Sequence, residues 1–364
     1  MTPPAALAYF ITPHGFGHAA RACAVMNALH RQRPDLVFHL FTGVPEWFFS
    51  DSLDGPFQYH PLASDIGLVQ RTPTAEDLPA TIARLAAYWP LSGEKTTPLA
   101  AQLQALGCRL VLCDIAPLGI ATAQQAGIPS ILIENFTWDW IYAGYLELEP
   151  RFAAFIPQIQ AACAAAAVHL QTRPACLPDA RFTSLNPVFR SPRQTRAETR
   201  QRLGIPLEAK AVLVTMGGIP PTFSTLDHLS AASPAWFILP GAGERFERRG
   251  RLVLMPHHSE FYHPDLVFAA DAVVGKAGYS TLAEAYAAGI PFGHVARPRF
   301  REAAVMADFI QNEMGGIELA PEEFESGAWA ARVDELLALP RRQRDEIPGA
   351  EQAAAVVLGL IGQA

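Results

Sequence analysis

Short apolar runs separated by helical stretches recur along this chain, and the pattern starts twice. Residues 7–12 form the first run. Residues 17–31 follow with Ala20, Val25, Met26 and Leu29 at helical spacing, and residues 36–41 form the next run. Further on, residues 110–113 and 130–134 read as buried strands on either side of a helix at 118–126. Strands that are apolar throughout, rather than alternating, imply a parallel sheet covered on both faces. The alternation restarts beyond residue 190, with strands at 211–215, 236–239, 252–255 and 271–274 and helices at 280–288 and 300–312. The chain therefore reads as α/β, in two Rossmann-like halves covering residues 1–188 and 189–347. A last apolar helix at 350–361 could pack on either half. The stretch from about 348 to 364 is expected to return to the first.

The length of 364 residues agrees with two domains at roughly 150 residues each. Half of the residues are hydrophobic and 17% are charged, which excludes disorder. A net charge of −7 argues against a general nucleic-acid binder but leaves room for one local anion site. Cys23, Cys108, Cys113, Cys163 and Cys176 show no paired ligand spacing, so we expect reduced thiols, no bound metal and a cytoplasmic protein. The first charge is Arg21, so the basic region of a signal peptide is missing. The uncharged stretches 115–133 and 152–172 carry Pro, Gln and His residues and read as buried α/β elements rather than membrane spans. A peripheral contact with a membrane surface stays open. The basic stretch 181–202 reads as a linker entering a solvated helix face, with a partner-binding patch as the alternative.

The first strand runs into Pro13-His14-Gly15-Phe16-Gly17-His18-Ala19-Ala20-Arg21. Gly15, Gly17 and Ala20 fit the G-x-G-x-x-A fingerprint of a helix that receives a phosphate. A nicotinamide site would also need an acidic residue ending the second strand, where this chain has Leu40-Phe41-Thr42-Gly43. An oxidoreductase is therefore disfavoured. His14 and His18 fall at the carboxyl edge of the sheet, where a neutral imidazole can act as a general base. The alternative is a histidine that caps or packs the helix start. Asp114 ends the strand at 110–113 and could orient His18, or else cap the next helix.

A second strand–turn–helix carries chemistry: Gly275-Lys276-Ala277-Gly278-Tyr279-Ser280-Thr281, followed by Glu284. Ser280 and Thr281 fall where an N-cap belongs, so free amides would face a diphosphate, and Glu284 lies one turn further in, suited to a ribose diol. The alternative is a capping box from Thr281 to Glu284. Gly217 and Gly218, after the strand at 211–215, would touch phosphate or sugar, or simply form a tight loop. Trp138 and Asp139 could stack on and bind an acceptor sugar, or open a helix that packs in the core.

These pieces resemble the GT-B glycosyltransferases, whose fold is two Rossmann-like domains facing a central cleft, and above all the glycosyltransferase-like N-terminal domain of the L-arabinokinases. The matching stretches are Thr12–Arg21, Asp114–Pro117, Asn135–Tyr142 and Gly275–Ala285. The resemblance implies an acceptor-side first domain and a donor domain that binds a nucleotide-diphosphate sugar. Gly278, Tyr279, Ser280 and Thr281 would meet phosphate, Glu284 the ribose, and Lys276 the leaving diphosphate. Glu302 matches an acidic residue that contacts the donor sugar, although Ala303 stands where Gln is usual. Arg297, Arg299 and Arg301 nearby could bind a charged substrate or lie exposed. His14, Gly15 and Gly17 would line the acceptor loop, with His18 as base and Asp114 as its orienting carboxylate. The absence of a D-x-D motif fits metal-independent transfer without a cofactor. The expectation is an inverting transferase of the hexosyl or N-acetylhexosaminyl type, using a UDP-sugar and an unidentified acceptor. A non-catalytic nucleotide-sugar binder is the alternative, as is an epimerase or hydrolase on the same fold.

Overall fold

The structure, a computed structural model, describes residues 6–72, 75–216, 229, 233–297 and 299–362. It divides into two compact units, one made of Met1–Val188 with Ile347–Ala364 and the other of Phe189–Glu346.

The first unit contains β1 (Ala6–Ile11), β2 (Val37–Thr42), β3 (Phe57–Pro61), β4 (Gln70–Thr72), β5 (Ala75–Glu76), β6 (Cys108–Asp114), β7 (Ser130–Glu134), β8 (Val168–Thr172) and β9 (Thr183–Leu185). Its main sheet runs β3-β2-β1-β6-β7-β8-β9 and is parallel throughout, while β4 and β5 form a separate antiparallel pair. Every residue of β1 is buried, as an unbroken apolar strand with both faces covered should be. Helix α1 (Phe16–Gln32) follows β1 directly and buries Ala19, Cys23, Met26 and Leu29. The helix Gly349–Ile361 lies beside α1 in this unit and places Ala353, Ala354 and Val357 in the same core. Glu351 pairs with Arg31 at the edge of that contact.

The second unit contains β10 (Ala211–Thr215), β11 (Trp236–Pro240), β12 (Glu247–Arg249), β13 (Leu252–Met255), β14 (Ala272–Lys276), β15 (Phe292–Val295) and β16 (Gly316–Leu319). The sheet order is β12-β13-β11-β10-β14-β15-β16, with only β12 antiparallel. Both sheets are therefore Rossmann-like and share one feature that places the sites. Strand order runs outward one way from β1 or β10, then jumps back and runs the other way from β6 or β14. At such a reversal the flanking loops leave in opposite directions, and a crevice opens at the carboxyl ends of the two strands.

The basic stretch 181–202 is not a uniformly solvated face. Arg200, in the helix Arg196–Leu203, is buried and donates to Asp271 Oδ2 at 2.8 Å. Arg190 is buried as well and is paired with Glu284. A buried guanidinium needs a carboxylate to meet it, and Asp271 and Glu284, 71 and 94 positions further on, supply those partners. The helix at 300–312 is α-helical over Arg301–Phe309 and widens to a π-turn over Ile310–Met314. Among the described residues, no helix is long and apolar enough to cross a membrane.

Candidate functional site

The reversal in the first sheet joins the ends of β1 and β6: Ile11 is paired with Asp114, and the Thr12 amide donates to the Asp114 carbonyl at 3.1 Å. The chain then turns into α1 through Gly15, the N-cap, at φ 78° and ψ 175°, a conformation open essentially to glycine alone. No side chain caps the first turn of α1 and no acidic residue lies in it, so the positive end of the helix dipole is uncompensated there. Gly17 lies in this first turn, and His18 follows it.

His18 Nδ1 is 2.9 Å from Asp114 Oδ1, and both side chains are buried. Arg21, one helical turn on, donates from Nε to Asp114 Oδ2 at 2.7 Å and from Nη2 to Oδ1 at 2.6 Å. Its Nη1 donates to Asn135 Oδ1 at 2.6 Å. Burial alone would push the Asp114 carboxyl up; the Arg21 charge, with the hydrogen bonds from Arg21 and His18, leaves it below its ordinary range. The helix Pro117–Ala126 takes Ala116 as its N-cap, so Asp114 is not spent on capping. Ile115 has φ 53°, a left-handed conformation that a β-branched residue rarely adopts, directly beside the carboxylate. That strain marks a position held by its surroundings.

Around this pair lie rings. His18 meets Phe136 edge-on at 5.8 Å, and His14 meets Trp138 edge-on at 5.0 Å. Trp138 is almost fully buried at the start of the helix Trp138–Ala143 and stacks on Tyr142. Its indole is thus core packing that also backs His14. Asp139 is buried too, and its Oδ1 has no hydrogen-bond partner among the described residues. The segment after β3 closes over the end of β1: the Ser64 hydroxyl donates to the Ile11 carbonyl, and Tyr142 donates to the Gly67 carbonyl at 2.8 Å. Within this segment Asp65 is buried, with Thr12 and Trp138 as its polar neighbours, and burial pushes its carboxyl up to about 7.

In the second unit, β14 ends at Lys276 and the helix Tyr279–Ala288 begins with Gly278 as N-cap. This corrects the expected placement of the cap: Tyr279, Ser280 and Thr281 form the first turn, and no side chain caps it. The capping box from Thr281 to Glu284 does not form, because Glu284 turns the other way. Its Oε1 accepts from Arg190 Nε at 2.9 Å and its Oε2 from His263 Nδ1 at 3.0 Å. Burial would raise the Glu284 carboxyl, but Arg190 and His263 hold it below its ordinary range. Glu302 is buried in the first turn of the helix Arg301–Phe309. Gly217 and Gly218 lie outside the described residues. Gly275 has a packing role: a Cβ there would lie 1.7 Å from the Thr215 carbonyl oxygen, because β14 runs hard against β10.

The structure thus brings His18 and Asp114 together, and His14 onto Trp138. It adds Arg21, Asn135, Asp65, Arg190 and His263, which the sequence reading did not single out as site residues. Only Arg21 carried a signal, since residues three apart on a helix share a face. Among the described residues, no group of three or more His, Cys, Asp or Glu side chains is placed to hold a metal ion, and the five cysteines form no disulfide with one another.

No family model matches the chain. A curated relative, L-arabinokinase of Arabidopsis thaliana, is 28% identical over 362 residues, covering 96% of this chain and 34% of that protein. The chain therefore spans about a third of the length of the curated relative it matches. Among solved structures, the glycosyltransferase of kitacinnamycin matches with a TM-score of 0.65 at 17% identity, covering 98% of this chain and 99% of the other. A calicheamicin glycosyltransferase matches with a TM-score of 0.61 at 18% identity over the whole of both chains. The chain has the GT-B fold of those glycosyltransferases, with two Rossmann-like, predominantly parallel sheets.

Proposed function

We propose that this chain is a metal-independent, inverting glycosyltransferase that moves a hexosyl or N-acetylhexosaminyl group from a UDP-sugar to an acceptor hydroxyl in the cytoplasm. The observation that carries the reading is the buried hydrogen bond between His18 Nδ1 and Asp114 Oδ1 at the strand reversal of the first sheet. Asp114 can only accept when ionised, so Nδ1 holds a proton, and in the neutral ring Nε2 then keeps its lone pair. In the proposed step Nε2 takes the acceptor's proton as the acceptor oxygen bonds to the anomeric carbon. The bond from that carbon to the diphosphate breaks, and the diphosphate leaves with the electron pair. Direct displacement of this kind inverts the centre.

The donor is assigned to the second unit. The uncapped first turn of the helix Tyr279–Ala288 and Lys276 would meet the growing charge of the leaving diphosphate. Gly278, where an added Cβ meets nothing within 4 Å, leaves room for a phosphate at that helix end. Glu284 would bind the ribose, and Glu302 the sugar. The plant relative is named a kinase; its activity is not extended to this chain.

A non-catalytic nucleotide-sugar binder is the second reading. Both readings place the ribose at Glu284, whose two oxygens accept from Arg190 and His263. A thermal-shift screen against UDP, GDP, TDP and CDP, their sugars and nicotinamide cofactors tests the donor site. A ligand at 100 times its Kd adds about 2.7 kcal/mol of stability. A shift with one nucleotide diphosphate that Glu284→Ala abolishes supports the assignment, and a shift with a nicotinamide cofactor instead would sink it. Sugar transfer onto an acceptor panel then separates the two readings: binding without transfer points to the binder.

A further inference from the structure

We propose that Arg21 is the positioning residue of the first-unit site: its guanidinium pins the Asp114 carboxylate so that His18 is held as the Nδ1–H tautomer, with Nε2 free of a proton. The inference deepens, and rests on, the reading of His18 as the base.

The donor and acceptor inventory leaves little freedom. Arg21 can only donate, and it takes both carboxylate oxygens, Oδ2 through Nε at 2.7 Å and Oδ1 through Nη2 at 2.6 Å. Its far corner is tied to Asn135 Oδ1 through Nη1 at 2.6 Å, so the guanidinium cannot swing away. His18 Nδ1 and Arg21 Nη2 lie 3.3 Å apart, but they are two donors converging on the same oxygen, not partners of each other. The imidazole therefore meets an oxygen whose direction Arg21 has already set.

Charge leads to the same place. Tyr9 and Cys113 are titratable groups that act on this pair among the described residues, and burial keeps both protonated. With neutral His18, Asp114 and Arg21 are a buried pair of opposite charges that cancel. Remove Arg21, and a buried carboxylate stands uncompensated. It has two ways out. The imidazole can take up a second proton, which lands on Nε2. Or Asp114 takes a proton and donates it to Nδ1, which moves the ring proton to Nε2. Both routes block the atom that must receive the acceptor's proton, so the role of Arg21 is to keep Nε2 open.

The test needs no substrate. Histidine labelled with ¹⁵N in the ring reports, in long-range proton–nitrogen spectra at pH 7.5, which ring nitrogen carries hydrogen. His18 is assigned among the 11 histidines by its absence in His18→Gln. We expect a protonated Nδ1 and a bare Nε2 in the wild type, a protonated Nε2 in Arg21→Met, and a partial return of the bare form in Arg21→Lys. A wild type with protonated Nε2, or a folded Arg21→Met with the wild-type pattern, would overturn the proposal. If Arg21→Met does not fold, Asn135→Ala decides, because it removes only the anchor of Nη1. A fraction of protonated Nε2 then supports the proposal, and an unchanged pattern overturns it. A protein with the expected tautomer but no sugar transfer would sink the catalytic reading alone.

Discussion

Arg190 Nε donates to Glu284 Oε1 at 2.9 Å, and both side chains are buried. Taking away one partner strands the other charge, which costs about 3–5 kcal/mol, whereas replacing both with apolar side chains is close to neutral. We therefore expect Arg190→Met to destabilise the chain by that amount, and Arg190→Met with Glu284→Leu to be less destabilised than the sum of the single variants. Chemical denaturation of the four proteins measures this coupling, and strict additivity would show that the pair contributes little. The sign with pH follows from the depressed carboxyl. Its contribution is present above the ordinary value of 4.5 and is lost as the pH falls through the lower folded value.

His18→Ala should lower transfer by about 10²–10⁴-fold, the usual contribution of a positioned general base. The donor contacts assigned to the second unit are untouched by the change. The variant should therefore keep the wild-type thermal shift with the nucleotide diphosphate and the wild-type KM for the donor. Steady-state kinetics separates the outcomes. A fall in kcat alone fits a base, a rise in donor KM alone fits a binding role, and full turnover would remove His18 from the chemistry.

Asp65 makes the folded chain hold a proton that the unfolded chain releases. Its carboxyl ordinarily titrates at 3.8 and is pushed up to about 7 by burial. Below 3.8 both states carry the proton and the contribution is complete. Between 3.8 and 7 the unfolded state lets go while the folded state does not, so stability falls as the pH rises, and above 7 the loss is complete. About three pKa units correspond to roughly 4 kcal/mol as an upper bound. Asp65→Asn removes the titration. It should be more stable than the wild type at pH 8 by up to about 4 kcal/mol, with the advantage fading toward pH 4. Asp114 and Glu284 are common to both proteins and cancel in the difference. Parallel stability curves for the two proteins would show that Asp65 does not hold its proton.

Eight strands were legible because each is short and largely apolar, which admits little but a covered parallel sheet, whereas β3, β8, β9 and β12 mix in polar residues and carry no such signal. Residues 130–134, 211–215 and 252–255 are strands with those bounds. The carboxyl-edge position of His18 and Asp114 followed from the same pattern, since Asp114 ends one strand and His18 opens the helix that follows another. What the pattern does not carry is the choice of partner among charges. Arg21 meets Asp114 across 93 positions and Asn135 across 114, and nothing local in the chain records either meeting. Arg190 and Arg200 read as solvated for the same reason: their carboxylates lie 94 and 71 positions further on. Asp65 sits in a loop between β3 and β4, and the packing of that loop against the end of β1 takes it out of water. The cap at Gly278 was hidden by Ser280 and Thr281, which are better capping residues by type but fall inside the first turn.

Gly275 and Gly278 stand three positions apart in one loop, yet the structure gives them opposite requirements. A Cβ at Gly275 would lie 1.7 Å from the Thr215 carbonyl oxygen, at a φ of 152° that side chains rarely adopt. The neighbour is backbone of the central strand and cannot step aside. Gly275→Ala should therefore cost about 3 kcal/mol or more, at the severe end for overpacking. A Cβ at Gly278 would meet nothing within 4 Å, and its φ of −84° suits any residue. Gly278→Ala should thus leave stability within about 0.5 kcal/mol of the wild type, as exposed substitutions do. If a diphosphate docks on the uncapped turn, however, the added methyl stands where phosphate must approach the amides. Gly278→Ala should then lose most of the nucleotide-induced thermal shift while melting like the wild type. A Gly278→Ala protein that binds nucleotide normally would move the diphosphate off this helix end.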